Sequence, residues 1–381
     1  MYSISFVVHK FSDFSLPNVG GASKNPIKII KSLDHKVIIQ NVISFNGSPD
    51  FTYKFEQYFY KVPFLKLFVK TFFQNLLIIK KIISSFRVSD VIQIHHPHYG
   101  LTVVIIRKLF FKSKFIITKA HGTSIPELNA NNYKGLKGML LYFDSIVHFH
   151  IDKFVLQNSD KVVCSSIFQL NEMEKLYKVK NSSLVSIYNG FDPDFIIPRK
   201  INLENIRFVF CGRLVPKKNI HYAISLFLEI NSVYENVTLD LVLGESNKIE
   251  DFNTYKSIMN LINHNSKINI HFDLSEYDLY SLFSKCHIGL ITSIGYESIP
   301  TVVFEMISNG LKVFSTFDWG IPEVLNKSSA LNHNLEDDKG KILDFIETEL
   351  SNFVKRDHSY DDYSIDNLAS QYLKLYKDLI K

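Results

Sequence analysis

Cysteine is scarce in this chain: Cys164, Cys211 and Cys286 are the only three among 381 residues. They stand far apart and form no C-x-x-C pair, which argues against a disulfide framework or a thiolate zinc site and fits a reducing cytoplasm. Glycine and proline are sparse, at 15 and 11, and 46% of the chain is hydrophobic, so a low-complexity or disordered chain is not indicated. Neither sign of charge is in large excess. With 43 basic and 38 acidic residues the net charge is +5, which argues against a polycation that coats nucleic acid. No uninterrupted apolar run approaches the ~18 residues of a spanning helix, so any membrane contact is expected to be peripheral. Met1 to Phe11 lacks a basic leader and a small-residue cleavage site, and Ile4 to Val8 reads as a strand, not as part of a signal peptide.

What is present is a rhythm of short apolar, β-branched runs with helical patterns between them. Ile4–Val8, Val37–Ile39, Val91–Ile94, Phe115–Thr118, Val162–Cys164 and Val185–Ile187 form a first series. Phe208–Phe210, Leu239–Leu243, Ile268–Ile270, Ile288–Ile291 and Val313–Phe314 form a second. Continuous apolar runs, as opposed to alternating ones, suit strands covered by helices on both faces, so a parallel α/β sheet is expected twice. The interruption near residues 193 to 205, with Pro193 and Pro198, predicts the boundary between two domains. From Phe59 to Arg87 six basic residues occur with no acidic one, and a helix there would set Lys66, Lys70, Lys80 and Lys81 along one polar stripe. Such a helix is either a solvated surface or a contact with an anionic membrane; the basic, aromatic Arg107–Lys114 stretch favours the membrane.

Ligands of open α/β sheets sit at the carboxyl ends of strands, so the loops there hold the candidate chemistry. Gly20–Gly21 follows the first strand, and Asn25–Pro26 reads as the start of a helix; a bare backbone can approach phosphate, with Gly21 nearest. His121 stands at a strand end beside Gly122. His95, His96 and His98 invite a metal, but adjacent histidines on a strand face opposite ways and no carboxylate is near in sequence, so packing or cleft lining is expected. In Gly212-Arg213-Leu-Val-Pro-Lys217-Lys218-Asn219 a strand leads into a basic loop, where Arg213 and Lys218 suit a departing diphosphate. In Tyr296-Glu297-Ser298-Ile299-Pro300-Thr301-Val-Val-Phe-Glu305 two carboxylates are seven residues apart. Ser298 reads as an N-cap with Pro300 in the first turn. The helix start would then meet a phosphate, with one carboxylate for sugar hydroxyls and the other for a ribose.

These segments resemble glycosyltransferase family 4, the retaining enzymes of the GT-B fold that include many bacterial polysaccharide and lipopolysaccharide transferases. The likeness rests on Gly212–Lys218, Glu297 to Glu305, Ile187-Tyr-Asn189-Gly190-Phe-Asp192, Ala120-His121-Gly122, Gly20–Gly21 and Gly320-Ile-Pro-Glu323, in consistent order. It implies an α/β protein of two Rossmann-like domains facing across a cleft. Residues 1–195 would bind the acceptor and 196–359 the nucleotide sugar, and 360–381 would be a helix crossing back to the first domain. Arg213 and Lys218 would then hold the donor diphosphate, Glu305 the ribose, Glu297 the transferred sugar, and His121 would lie near the reacting sugar. Ser298, Ile299, Pro300, Thr301 and Gly21 complete the implied donor contacts. The chain departs from the family at Ser298-Ile299-Pro300, where Gly-Phe-Gly is common, and at Asn219, where a glycine is common.

The expected reaction is retaining hexosyl transfer from a nucleotide sugar, with UDP-galactose, UDP-glucose or UDP-N-acetylhexosamine favoured, and with no metal or other cofactor. The acceptor is expected to be a lipid-linked saccharide at the inner face of the cell membrane, in O-antigen, capsule or exopolysaccharide synthesis, with Lys66, Lys70, Lys80 and Lys81 contacting that membrane from the cytoplasm. Two alternatives are a sugar-nucleotide epimerase of the same fold and a catalytically silent partner or membrane-binding protein. The first predicts reaction without an acceptor and the second predicts loss of the key charges, all of which are present.

Overall fold

The computed structural model describes residues 2–10, 21–46, 56–59, 78–120, 135–199, 201–244, 249–262, 265–353 and 361–381. The chain forms two compact units. The first holds residues 21–188 together with the opening strand and residues 366–381, and the second holds residues 189–365.

In the first unit seven strands form one sheet: β1 (Ser3–Lys10), β2 (Ile38–Asn46), β3 (Glu56–Phe59), β4 (Val91–His95), β5 (Phe115–Lys119), β6 (Lys161–Cys164) and β7 (Leu184–Ser186). Their spatial order is β3-β2-β1-β4-β5-β6-β7, and every pairing is parallel. The order reverses between β1 and β4, which marks the topological switch point. All five residues of β4 are buried, as a central strand covered on both faces requires. The described helices are α1 (Gly21–Leu33), α2 (Ile79–Val88), α3 (Leu101–Phe110), α4 (Gly135–Gln157), α5 (Ile167–Tyr177) and the closing α12 (Ile365–Ile380). Tyr376 of α12 donates its hydroxyl to Gln93 Oε1 of β4 at 2.5 Å. Gln93 Nε2 in turn lies 3.0 Å from His95 Nε2. Gln93 can only donate there, so His95 carries its proton on Nδ1; burial, with Lys119 and His96 nearby, pushes its pKa well below the usual imidazole value.

The second unit repeats the plan with six strands: β8 (Ile206–Arg213), β9 (Val237–Gly244), β10 (Ile268–Phe272), β11 (Ile288–Ile291), β12 (Lys312–Thr316) and β13 (Ala330–Leu331). They run parallel in the order β10-β9-β8-β11-β12-β13, the 3-2-1-4-5-6 arrangement of a dinucleotide-binding sheet. Its helices are α6 (Ile220–Asn231), α7 (Ile249–Ile262), α8 (Glu276–Phe283), α9 (Thr301–Ser308), α10 (Leu335–Thr348) and α11 (Leu350–Phe353). Phe208, Phe227, Leu239, Leu241, Ile288 and Phe314 sit at the centre of one continuous apolar core.

Three local expectations need correction. Helix α1 begins at Gly21, so Pro26 lies inside it and Asn25 is not its N-cap. Phe59 ends a strand, and the described helix begins only at Ile79; Lys66 and Lys70 lie outside the described residues. Ser298 does not cap the helix that follows it. The boundary position is Pro300, at φ −62° and ψ 132°, with no side-chain cap, and the first turn starts at Thr301.

Candidate functional site

At the carboxyl end of β8 the chain turns through Leu214–Asn219 and starts α6. Asn219 occupies the left-handed region, at φ 48° and ψ 49°. This is the position where the resemblance leads one to expect glycine, and asparagine is the side chain that tolerates that conformation best. The departure therefore preserves the turn. Gly212 lies against the stem of Lys218 and the Phe210 ring, where a Cβ would make ordinary contacts at 3.5 and 3.4 Å.

The turn is stitched to the loop after β11. Ile294 donates its backbone N–H to the Lys217 carbonyl at 2.9 Å. Thr292 Oγ1 lies 3.1 and 3.0 Å from the carbonyl oxygens of Lys218 and Asn219 and shares its one proton between them. Lys217 Nζ donates to the Tyr296 carbonyl, and Gly295 is bare where a Cβ would come within 2.9 Å of Lys217 Cγ. These bonds fix Lys218 Nζ 2.7 Å from Glu297 Oε1, with Lys217 Nζ 3.5 Å from the same oxygen. Two ammonium groups thus share one carboxylate, and positive charge is left over. Arg213 adds to it: its side chain is exposed at the end of β8, with no ion pair among the described residues. Lys217, Thr292 and Gly295 were missed in the sequence. A second lysine beside Lys218 was the only available signal, and it reads equally well as a solvated turn.

Glu297 stands in the loop, and its side chain is only 17% exposed. Ile299 and Pro300 are buried, and Thr301 opens α9. The loop before α9 passes so close to Gly320 that a Cβ there would lie 1.8 Å from the Ser298 carbonyl oxygen, so only glycine fits at Gly320. Because no side chain caps α9, the N–H groups of its first turn keep their capacity to bind an anion. Glu305 is buried on α9. Beside it is the phenol of Tyr280, whose pKa rises well above its ordinary value through burial first and then through Glu305, Glu276 and Asp192.

Other candidates fall elsewhere. His121 lies outside the described residues, and Gly21 is the first residue of α1. Lys80 is exposed on α2 and Lys81 half-buried. Asp192 accepts the backbone N–H of Asp194 at 3.1 Å, the local cap of a short turn. The histidines of β4 and its turn gain a carboxylate that the sequence does not place near them: His98 Nδ1 is 3.8 Å from Asp152 of α4. Among the described residues, no three His, Cys, Asp or Glu side chains are grouped so as to hold a metal ion.

Two parallel Rossmann-type sheets, the second with a basic turn and an acidic loop at its carboxyl end, define an α/β protein with charge gathered where such sheets bind ligands. Comparison with known proteins gives the family. Residues 193–352 match the glycosyl transferases group 1, and residues 30–195 match glycosyltransferase family 4. The chain is similar to an uncharacterized glycosyltransferase, MJ1178, of Methanocaldococcus jannaschii, at 26% identity over 342 residues, which is 87% of this chain and 86% of that protein. The fold is similar to that of Anabaena Alr3699/HepE, solved in complex with UDP-glucose, with a TM-score of 0.72 and 14% identity over 99% of this chain and 100% of that one. It is also similar to WaaG, a glycosyltransferase involved in lipopolysaccharide biosynthesis, with a TM-score of 0.70 and 13% identity over 98% and 99% of the two chains. The two matches together span residues 30–352, and the chain is a glycosyltransferase of GT-B fold.

Proposed function

We propose that this glycosyltransferase takes a hexosyl group from a UDP-sugar and passes it, with retention, to a lipid-linked saccharide during synthesis of a bacterial surface polysaccharide. The observation that carries the donor half is the Lys217–Lys218–Glu297 cluster beside the uncapped start of α9. Its surplus positive charge suits a diphosphate, and its carboxylate suits a sugar hydroxyl. As the anomeric C–O bond breaks, the electron pair leaves with the diphosphate, and Arg213, Lys218 and the α9 N–H groups stabilise that charge. Glu305 is assigned to the ribose. On this reading the residues themselves neutralise the diphosphate, and no divalent metal is required. The UDP-glucose bound by HepE supports uracil as the base.

The acceptor half rests on surface chemistry of the first unit and on the lipopolysaccharide role of WaaG. On α3, Ile105, Leu109 and Phe110 are 42%, 63% and 69% exposed. Lys80, Arg87, Lys108 and Lys112 are exposed on the same two helices and the turn after them. Exposed apolar side chains together with exposed cations on α2, α3 and the turn after α3 suit the surface of an anionic bilayer. No helix among the described residues is long and apolar enough to cross a membrane.

Titration calorimetry tests the donor half. UDP is expected to bind more tightly than GDP or ADP, with undiminished affinity in EDTA. Lys218→Ala is expected to weaken UDP by about tenfold or more, the loss of one charge-assisted contact. Equal affinity of UDP for wild type and Lys218→Ala would remove the diphosphate assignment.

A further inference from the structure

Tryptophan occurs once in the 381 residues, at Trp319. With φ 55° its backbone lies in the left-handed region, which a residue with a bulky side chain enters only at a cost. The residue follows the carboxyl end of β12, the end at which open α/β sheets bind ligands. The chain on either side is anchored. Thr316 Oγ1 donates to the Ser293 carbonyl at 2.9 Å, and Gly320 is pressed so closely against the Ser298 carbonyl that no Cβ fits there. Ile321 is buried, and its N–H reaches the Asp318 carbonyl at 3.2 Å. A strained conformation persists where its surroundings dictate it, and such outliers gather at ligand sites.

No partner of the ring explains the strain. Trp319 is half-buried, and among the described residues its indole has no hydrogen bond and no ring contact. An indole N–H usually finds an acceptor when it is covered, so a ring left part open with its donor unused is a surface with spare capacity. Its surroundings are those of the candidate site. Strand β12 pairs with β11, whose following loop holds Glu297, and the Trp319–Gly320 step lies on the Ser298 carbonyl of that loop.

We infer that Trp319 is the specificity-determining platform of this transferase, its indole face stacked on the C–H groups of the hexose that is transferred. The inference rests on the proposed donor reading and adds the residue that selects the sugar. Chemistry divides the ligand. Lys217 and Lys218 suit the diphosphate, whereas an uncharged ring with a negative face suits polarised C–H groups. A pyranose carries axial C–H groups on each face, and an axial hydroxyl interrupts one of those faces, so a stacked ring separates hexose epimers. Proximity divides it further. Trp319 adjoins the loop of Glu297, assigned to the sugar, while Glu305, assigned to the ribose, lies within α9. The hexose, not the base, is therefore the ring that Trp319 meets. No proton transfer is assigned to it.

A single tryptophan makes the wild type its own probe, because all indole emission comes from this one position. The test is titration of the full chain with UDP, UDP-glucose, UDP-galactose and UDP-N-acetylglucosamine, followed by fluorescence and in parallel by calorimetry. At least one nucleotide sugar is expected to shift the emission to shorter wavelength, and UDP alone is expected to leave it unchanged. Trp319→Gly takes the left-handed backbone without strain, so it should bind UDP as wild type does. It should bind that nucleotide sugar about fivefold more weakly, with affinity recovered in Trp319→Phe, which keeps a stacking face. An equal shift with UDP alone would assign the ring to the base and overturn the inference. Emission that stays unchanged across the panel while UDP binds, or equal affinity of wild type and Trp319→Gly for every nucleotide sugar, would overturn it and leave the donor reading standing. A wild type that binds neither UDP nor any nucleotide sugar would contradict the donor reading and the platform with it.

Discussion

At Lys218 and Glu297 a 2.7 Å ion pair is held in place by neighbours that sequence patterns do not single out: Thr292, Gly295 and the Tyr296 carbonyl. Asn219 makes the same point about departures from a pattern, since its left-handed backbone accepts asparagine where the resemblance leads one to expect glycine. At the opposite, amino end of the strands of the second sheet, His287 yields a pH prediction. Burial first, then Arg199 and Arg207, depress its pKa to about 4, and its Nδ1 accepts the Arg207 backbone N–H at 3.0 Å. Because the folded pKa is below the unfolded value of ~6.5, the unfolded chain binds a proton that the folded chain refuses. Stability from this site is complete above about pH 6.5 and is lost as pH falls towards 4. Urea denaturation of the second unit should show wild type losing ~2 kcal/mol more than His287→Asn across that window. Parallel curves for the two proteins would contradict the assignment.

Among the elements, the strands were legible and several helix ends were not. Val91–Ile94 and Leu239–Leu243 announce themselves because strands buried on both faces must be apolar throughout. Two-residue β13 carries too little pattern to notice. The start of α1 was misread because Asn25–Pro26 imitates a helix start inside a helix that had already begun at Gly21. Ser298 was misread as a cap because a good capping side chain stands two positions before Pro300, where the helix boundary falls. Of the charges the sequence singles out, Arg213, Lys218, Glu297 and Glu305, the structure joins Lys218 and Glu297 in an ion pair. The proximity of Asp152 to His98 was not legible, since it depends on α4 seating against Gly100. Helix α3 also hid its most informative property, because exposure of Leu109 and Phe110 follows from packing and not from composition. Co-sedimentation with vesicles containing anionic lipid should fall at least fivefold for Leu109→Asp with Phe110→Asp, while UDP affinity stays the same. Equal sedimentation of variant and wild type would remove the membrane contact from α3.

At the scale of the molecule, one sheet plan is used twice. The second unit offers surplus positive charge beside a carboxylate at the carboxyl end of its sheet, as the proposed diphosphate ligand requires. Dependence on an acceptor separates this reading from the epimerase alternative raised by the sequence. An epimerase needs no acceptor, whereas a transferase consumes donor in proportion to acceptor.

The most direct test of the central claim is a transfer assay with purified wild type and Glu297→Ala, in EDTA, using a panel of UDP- and GDP-hexoses and a lipid-diphosphate saccharide acceptor, read by mass spectrometry. The account predicts a product one hexosyl unit heavier than the acceptor, formed only with acceptor present, from a UDP-sugar, and reduced by about 100-fold or more in Glu297→Ala. Transfer that requires added divalent metal, or equal product from wild type and Glu297→Ala, would contradict it.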